Sequence, residues 1–98
     1  MTTEAYLESL EKQHAAETAS VKELEQLWRE AFADWKPHMP EEKRFRWWVR
    51  TYGLRLMKHA LTVTAANAAH GWSVTRLGKY VSGVARNVHE QAQMERET

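Results

Sequence analysis

Lys43, Arg46, Trp47 and Arg50 stand at positions i, i+3, i+4 and i+7 of a segment whose opposite side is apolar. On a helix that spacing gathers three cations around one indole. Such a group can recognise a polyanion with accessible bases. Each cation neutralises a phosphate, and the indole face stacks on an unpaired base for about 1–3 kcal/mol. Arg55 and Lys58 carry the charge into the next segment, and Arg76, Lys79 and Arg86 repeat it further on, with the small Gly83 between the last two. Taken singly, each cation equally suits a solvated helix face. Trp47 equally suits a cover for a second element such as the N-terminal helix. The combination of these nine residues is what points to nucleic acid, with single-stranded DNA as the first expectation.

For covalent chemistry the chain offers little. The five histidines (14, 38, 59, 70 and 89) are scattered, with no pair at metal-ligand spacing on a helix face. His59 fits either a phosphate contact in the basic surface or a partly buried neutral imidazole. Glu41 and Glu42 are adjacent and point to different sides of a helix, which is poor geometry for a carboxylate dyad. There is no glycine-rich phosphate loop and no nucleophile elbow. Cysteine is absent, which removes thiolate metal sites, disulfides and cysteine nucleophiles and fits a reducing cytoplasm. The expectation is a binding protein that is not an enzyme, with no cofactor and no metal. The N-terminal stretch carries acids early and lacks the apolar run of a signal peptide, and no stretch approaches 18 uncharged apolar residues, so no membrane span is expected.

The net charge of +1 conceals a polarity along the chain. Residues 1–35 carry −5, residues 36–88 carry +8 and the last ten carry −2. This segregation points to an anionic partner for the middle and C-terminal part. It also fits acidic N-terminal helices that pack beside basic ones.

The elements that must position these residues read as helices throughout. With 98 residues, four glycines, two prolines and no strand-like alternation, the chain predicts one all-α domain. Its form is a compact bundle of four to five helices with short connections. Residues 1–19 predict an acidic helical arm whose only sizeable apolar residues are Tyr6, Leu7 and Leu10. This arm could dock by those three, bind a partner or fray. Ser20-Val-Lys-Glu23 has the form of a capping box and predicts a new helix, with residues 20–98 forming the domain proper. Leu24, Leu27, Trp28, Ala31, Phe32 and Trp35 then mark a clear amphipathic helix, ended by Lys36-Pro-His-Met-Pro40. A helix from about Pro40 to Tyr52 buries Phe45, Trp48, Val49 and Tyr52 and stops at Gly53. The next, about Leu54 to Ala69, uses Met57, Ala60, Leu61, Thr64 and Ala68 and closes at His70-Gly71. Ser73 caps the last, which turns Leu77, Val81, Val84 and Val88 inward, and its polar turns from Glu90 to Thr98 are expected to fray.

From about Leu24 to Val88 the sequence resembles the C-terminal domain of the DnaD/DnaB-type primosome proteins of bacteria and phages. Trp28-Arg-Glu-Ala-Phe32 followed by Met39-Pro40-Glu41 stands where that family has a helix end, a short loop and a proline. Phe45-Arg-Trp-Trp48 matches its helix with a tryptophan near the end. Leu56-Met-Lys-His-Ala-Leu-Thr-Val-Thr64 matches L-I-x-x-A-L-x-x-A, with Thr64 where alanine is usual. Tyr80-Val-Ser-Gly-Val-Ala-Arg-Asn-Val88 matches Y-I-x-x-I-L-x-N-W, with Ala85 for the leucine and Val88 for the tryptophan. The resemblance implies single-stranded DNA binding in replication and a part in loading a replicative helicase. It also implies a stand-alone or phage-type version without the family's separate N-terminal oligomerisation domain, its acidic first helix acting as a docking arm.

Two functional readings therefore stand. One is a DNA-binding accessory of replication. The other is a small phage-type regulatory or inhibitory protein that binds another protein through its helical surface. Its acidic helices would imitate nucleic acid, or its exposed tryptophans would anchor in a partner's pocket. Self-association into a homo-oligomer is compatible with both.

Overall fold

The computed structural model describes residues 2–97, with Met1 and Thr98 outside the description. Four helices follow one another: α1 (Thr3–Ala31), α2 (Glu42–Tyr52), α3 (Leu54–Asn67) and α4 (Val74–Glu97). No strand occurs among the described residues, so the all-α bundle is confirmed at four helices.

The break expected between residues 19 and 20 does not exist. Thr2 caps α1, its Oγ1 accepting from the Ala5 amide at 3.2 Å, and the helix then runs unbroken through Ser20 for 29 residues. Neither glycine nor proline lies between Thr2 and Lys36. The Ser20/Glu23 pattern therefore has no chain reversal to serve, and both residues continue the helix already under way. The N-terminal arm and the first core helix are one rod about 43 Å long. From Thr2 to Ala16 every residue except Ser9 is exposed, and burial begins at Glu17, Thr18 and Val21. At the other end α4 is helical through Glu97, so the turns from Glu90 that were expected to fray belong to the helix, Thr98 lying outside the described residues.

The remaining boundaries lie near their signals, with α1 ending at Ala31 and not Trp35, α2 beginning at Glu42 and not Pro40, and α3 ending at Asn67 and not Ala69. Phe32 closes α1 ahead of Lys36, which takes a left-handed φ of 44°, and Pro37. Gly53 at φ 84° both ends α2 and precedes α3, a conformation that glycine adopts without a Cβ penalty. Ser73 Oγ accepts from the Arg76 amide at 3.1 Å and caps α4.

The core is aromatic. Trp28 lies edge-on to Phe32 at 4.8 Å and to Phe45 at 6.1 Å, and Phe45 lies edge-on to Trp48 at 5.5 Å. Val21 and Leu24 of α1, Met57, Ala60 and Leu61 of α3, and Leu77, Val81 and Ala85 of α4 close around them. On α4 the buried row is therefore 77, 81 and 85, while Val84 and Val88, expected inside, are half-buried. The other half-buried members of the expected core, Leu27, Ala31, Trp35, Val49, Tyr52 and Ala68, lie at its margin. Thr64 is fully buried, and its hydroxyl donates to the Ala60 carbonyl at 2.8 Å, so no polar group is left unpaired there.

Helix α3 packs on each of the other three, and α2 packs on α1, α3 and α4, whereas α1 and α4 do not meet. The orientation of α2 is tied to α4 by one polar contact. Trp48, itself buried, donates its Nε1–H to Ser82 Oγ at 2.9 Å. Replacing Ser82 by alanine strands that indole N–H, which costs about 1–3 kcal/mol. Ser82→Ala is therefore expected to lower the urea midpoint with an unchanged denaturant slope, and an unchanged midpoint would show that the contact does not hold α2 on α4.

Candidate nucleic-acid interface

The nine residues expected to meet a polyanion fall into three groups. Arg46, Arg50 and Lys58 are paired with acids of α1 and α2. Glu17, largely buried, receives Arg50 in a two-pronged contact through Nε and through Nη2, the latter at 3.2 Å, and has Arg46 Nη1 at 3.6 Å. Arg46 Nη2 also donates to Glu42 at 2.8 Å and to Thr18 Oγ1 at 3.3 Å. Lys58 Nζ lies 2.6 Å from Glu23. These three cations already have counter-charges and form the seam along which α1 packs on α2 and α3.

Arg55 and Arg76 form the second group. Arg55 is exposed on α3 and has no ion pair among the described residues. Arg76 spreads its guanidinium over the Trp72 ring at 4.1 Å, and Trp72 leans on Tyr80 at 5.6 Å.

The third group converges. Lys43 and Trp47 of α2 face Lys79 and Arg86 of α4 across a groove of about 920 Å3. Sequence reading missed Arg44, which joins them on the α2 side with Pro40, Glu41 and Tyr52. Arg44 sits one residue off the i, i+3, i+4, i+7 stripe, and an adjacent pair does not ordinarily share a helix face, so the stripe gave no reason to select it. Four cations thus surround the groove against one acid, Glu41. That acid meets Lys43 at 3.2 Å, with both side chains mostly in solvent, where such a pair is weak and readily exchanged. Arg44, Lys79 and Arg86 have no ion pair among the described residues.

Trp47 is 49% exposed, the most exposed of the large aromatics on this wall, and stands edge-on to Tyr52 at 6.0 Å. It does not cover the N-terminal helix. Tyr52 in turn meets the His89 ring at 5.7 Å, which limits its movement. Apart from Lys79 and Arg86 the α4 wall is made of small residues: Val74, Gly78 and Ser82 form one i+4 row, and Thr75 and Gly83 flank Lys79 in the next. Neither Gly78 nor Gly83 has a positive φ, and a Cβ built on either meets nothing within 4 Å. Packing and backbone conformation therefore do not require glycine at either place. Each costs the helix about 0.8–1 kcal/mol relative to alanine. What the two glycines provide is an open α4 surface facing Trp47.

The remaining candidates lie elsewhere. His59 is exposed, not partly buried, and His70 stacks on Trp35 at 5.6 Å. No cluster of three or more His, Asp or Glu that could hold a metal occurs among the described residues, and no helix there is long and apolar enough to cross a membrane. Comparison with protein-family profiles, with characterised proteins and with solved structures finds no match.

Two stability measurements check the reading of the α4 wall and of the Glu17 ion pairs. Gly78→Ala and Gly83→Ala are each expected to raise unfolding free energy by about 0.5–1 kcal/mol. A loss would mean that the glycines serve packing. Glu17 is the second case. The hydrogen bond from Arg50, then the charges of Arg50 and Arg46, hold its carboxyl below the ordinary value despite its burial. Its contribution is therefore full above the unfolded-state pKa of about 4.3 and disappears as pH falls through the lower folded value. Glu17→Gln is expected to lower stability at pH 7, with native chain and variant converging in acid. A gap that persists unchanged at low pH would remove the ionic explanation.

Proposed function

We propose that this chain binds single-stranded nucleic acid in the groove between α2 and α4. Lys43, Arg44, Lys79 and Arg86 neutralise successive phosphates, and Trp47 receives an unpaired base. One observation carries the reading: Arg44, Lys79 and Arg86, which have no ion pair among the described residues, meet with Lys43 around an accessible indole, while Arg46, Arg50 and Lys58 beside α1 are neutralised internally. Solvent-facing cations exchange bound counterions for phosphates, which supplies sequence-independent affinity. Stacking on Trp47 needs a base that is not paired, and this favours a single strand over a duplex. The bare helix surface at Gly78 and Gly83 admits the sugar-phosphate chain close to α4.

The setting within DNA replication, and a part in helicase loading, come from the resemblance to DnaD/DnaB-type domains. On this proposal the Tyr80–Val88 motif places its serine, glycine and arginine in the groove wall, and Tyr80 lies against Trp72. The rival reading, a small regulatory protein that binds another protein, draws on the exposed Tyr6, Leu7 and Leu10 of α1.

Anisotropy of a labelled single-stranded oligonucleotide, at several salt concentrations, tests the proposal. Lys79→Ala with Arg86→Ala is expected to weaken binding and to lower the slope of log K against log salt by about 1.4, at about 0.7 per phosphate lost. Trp47→Ala should weaken binding about 5- to 150-fold with the slope unchanged. Arg50→Ala, outside the groove, should leave the slope alone. Absence of binding by the native chain at low salt, or equal loss of slope in Arg50→Ala, would overturn the assignment.

A further inference from the structure

The exposed half of α1 has the composition that the α2–α4 groove lacks. Tyr6, Leu7 and Leu10 are 55%, 51% and 41% exposed and form one apolar strip. Glu4, Glu8 and Glu11 form an i, i+4, i+7 row along its side, with Lys12 the one cation between Thr2 and Ala16. This is an amphipathic helix with an acidic flank and no surface of its own chain to lie on. The groove offers the reverse: four cations beside Trp47, Tyr52 and Val74. The lengths agree as well. Residues 3–16 span about 20 Å as a helix, and the groove wall from Val74 to Arg86 about 18 Å.

We propose that the N-terminal half of α1 docks in the α2–α4 groove of a second copy of this chain, as an amphipathic helix laid into a groove. Docking within one chain is excluded by the continuity of α1. Its C-terminal half is fixed on α2 and α3, and it carries no glycine or proline hinge. Pairing of two arms with each other is disfavoured by charge and by length. Glu4 and Glu11 flank the apolar strip at equivalent positions seven residues apart, so antiparallel arms would set like charges together. The strip also turns polar at His14 and Glu17, short of the several heptads a coiled coil needs. An arm-to-groove contact joins two different surfaces. Reciprocal exchange closes it into a two-fold dimer, and otherwise it extends head to tail. The groove is the one assigned above to nucleic acid, but the contact does not depend on that assignment. If both hold, arm and single strand compete for one site.

Sedimentation velocity on the full chain, in the absence of nucleic acid, tests the contact. The native chain is expected to associate as its concentration rises, and less so at high salt. An arm variant, Leu7→Ser with Leu10→Ser, and a groove variant, Lys79→Glu with Arg86→Glu, alter exposed residues only, and each alone should sediment as a monomer. Mixed in equal amounts they should restore a one-to-one complex and nothing larger, because the mixture contains one intact arm and one intact groove. A native chain that stays monomeric into the millimolar range would overturn the inference. So would a groove variant that associates as well as the native chain, or a mixture that stays monomeric. Because no oligonucleotide enters the assay, these outcomes are independent of whether the groove binds single strands.

Discussion

The roll of α2 about its own axis decides the character of the surface. Phe45 and Trp48 turn inward because together they bury two large aromatic side chains against Trp28 and the α3–α4 side of the core. The bond from Trp48 to Ser82 then ties the angle of α2 to α4. Every other α2 side chain inherits its direction. Arg46 and Arg50 point to α1, where Glu17 meets them, and Lys43, Arg44 and Trp47 point to α4. A modest rotation would carry Arg46 and Arg50 away from Glu17 and leave that carboxylate without its counter-charges.

The acids of α1 act less as a general negative surface than as counter-ions for particular cations. Glu17 is the example with structural weight. It is mostly buried, and an unpaired carboxylate there would be unfavourable, so two arginines are recruited to it. Glu23 and Lys58 are both half in solvent, and their pairing contributes little to stability. It does, however, remove one more cation from the pool available to a ligand. The excess of +8 in residues 36–88 is thus divided by the fold. The part facing α1 is internally balanced, and the part facing α4 is not.

Helix positions were legible from periodicity and from turn residues. The stripe from Leu24 to Phe32, Gly53, Ser73 and the 45/48 and 57/60/61/64 sets all stand where spacing placed them. The false boundary at Ser20 shows the limit of cap signatures. Serine followed three residues later by glutamate is chemically competent to start a helix, yet without a breaker upstream the chain gains more by extending the helix it already has. The site was half legible. Lys43, Trp47, Lys79 and Arg86 were found because their charge and aromaticity are intrinsic. The neutralisation of Arg50 and Lys58, and of Arg46 by Glu17, was not readable at particular residues, because it depends on contacts more than twenty residues distant in sequence; only the Arg46–Glu42 pair is local. Arg44 was missed for the related reason that its place in the groove comes from the approach of α4 and not from the α2 stripe.

That approach leaves a question of packing that bears on function. A bundle in which α2 and α4 carried leucine or isoleucine at their facing outer positions would close the crevice and bury more apolar area. Here the α4 wall has glycine at 78 and 83, serine at 82 and threonine at 75, and the α2 wall has a tryptophan turned half outward. Helix propensity opposes the glycines, and no neighbour needs their smallness. The arrangement is locally unfavourable on both walls at once, and the two departures face each other. Such local disagreement with an otherwise consistent sequence is what supports the binding proposed at this groove. The opposite departure lies on α1, where Tyr6, Leu7 and Leu10 extend an apolar strip beyond the bundle that would bury it. An unfilled basic groove and an uncovered acidic strip on the same rigid chain are complementary in charge, hydrophobicity and length, and the straightness of α1 directs that complementarity outward to another molecule.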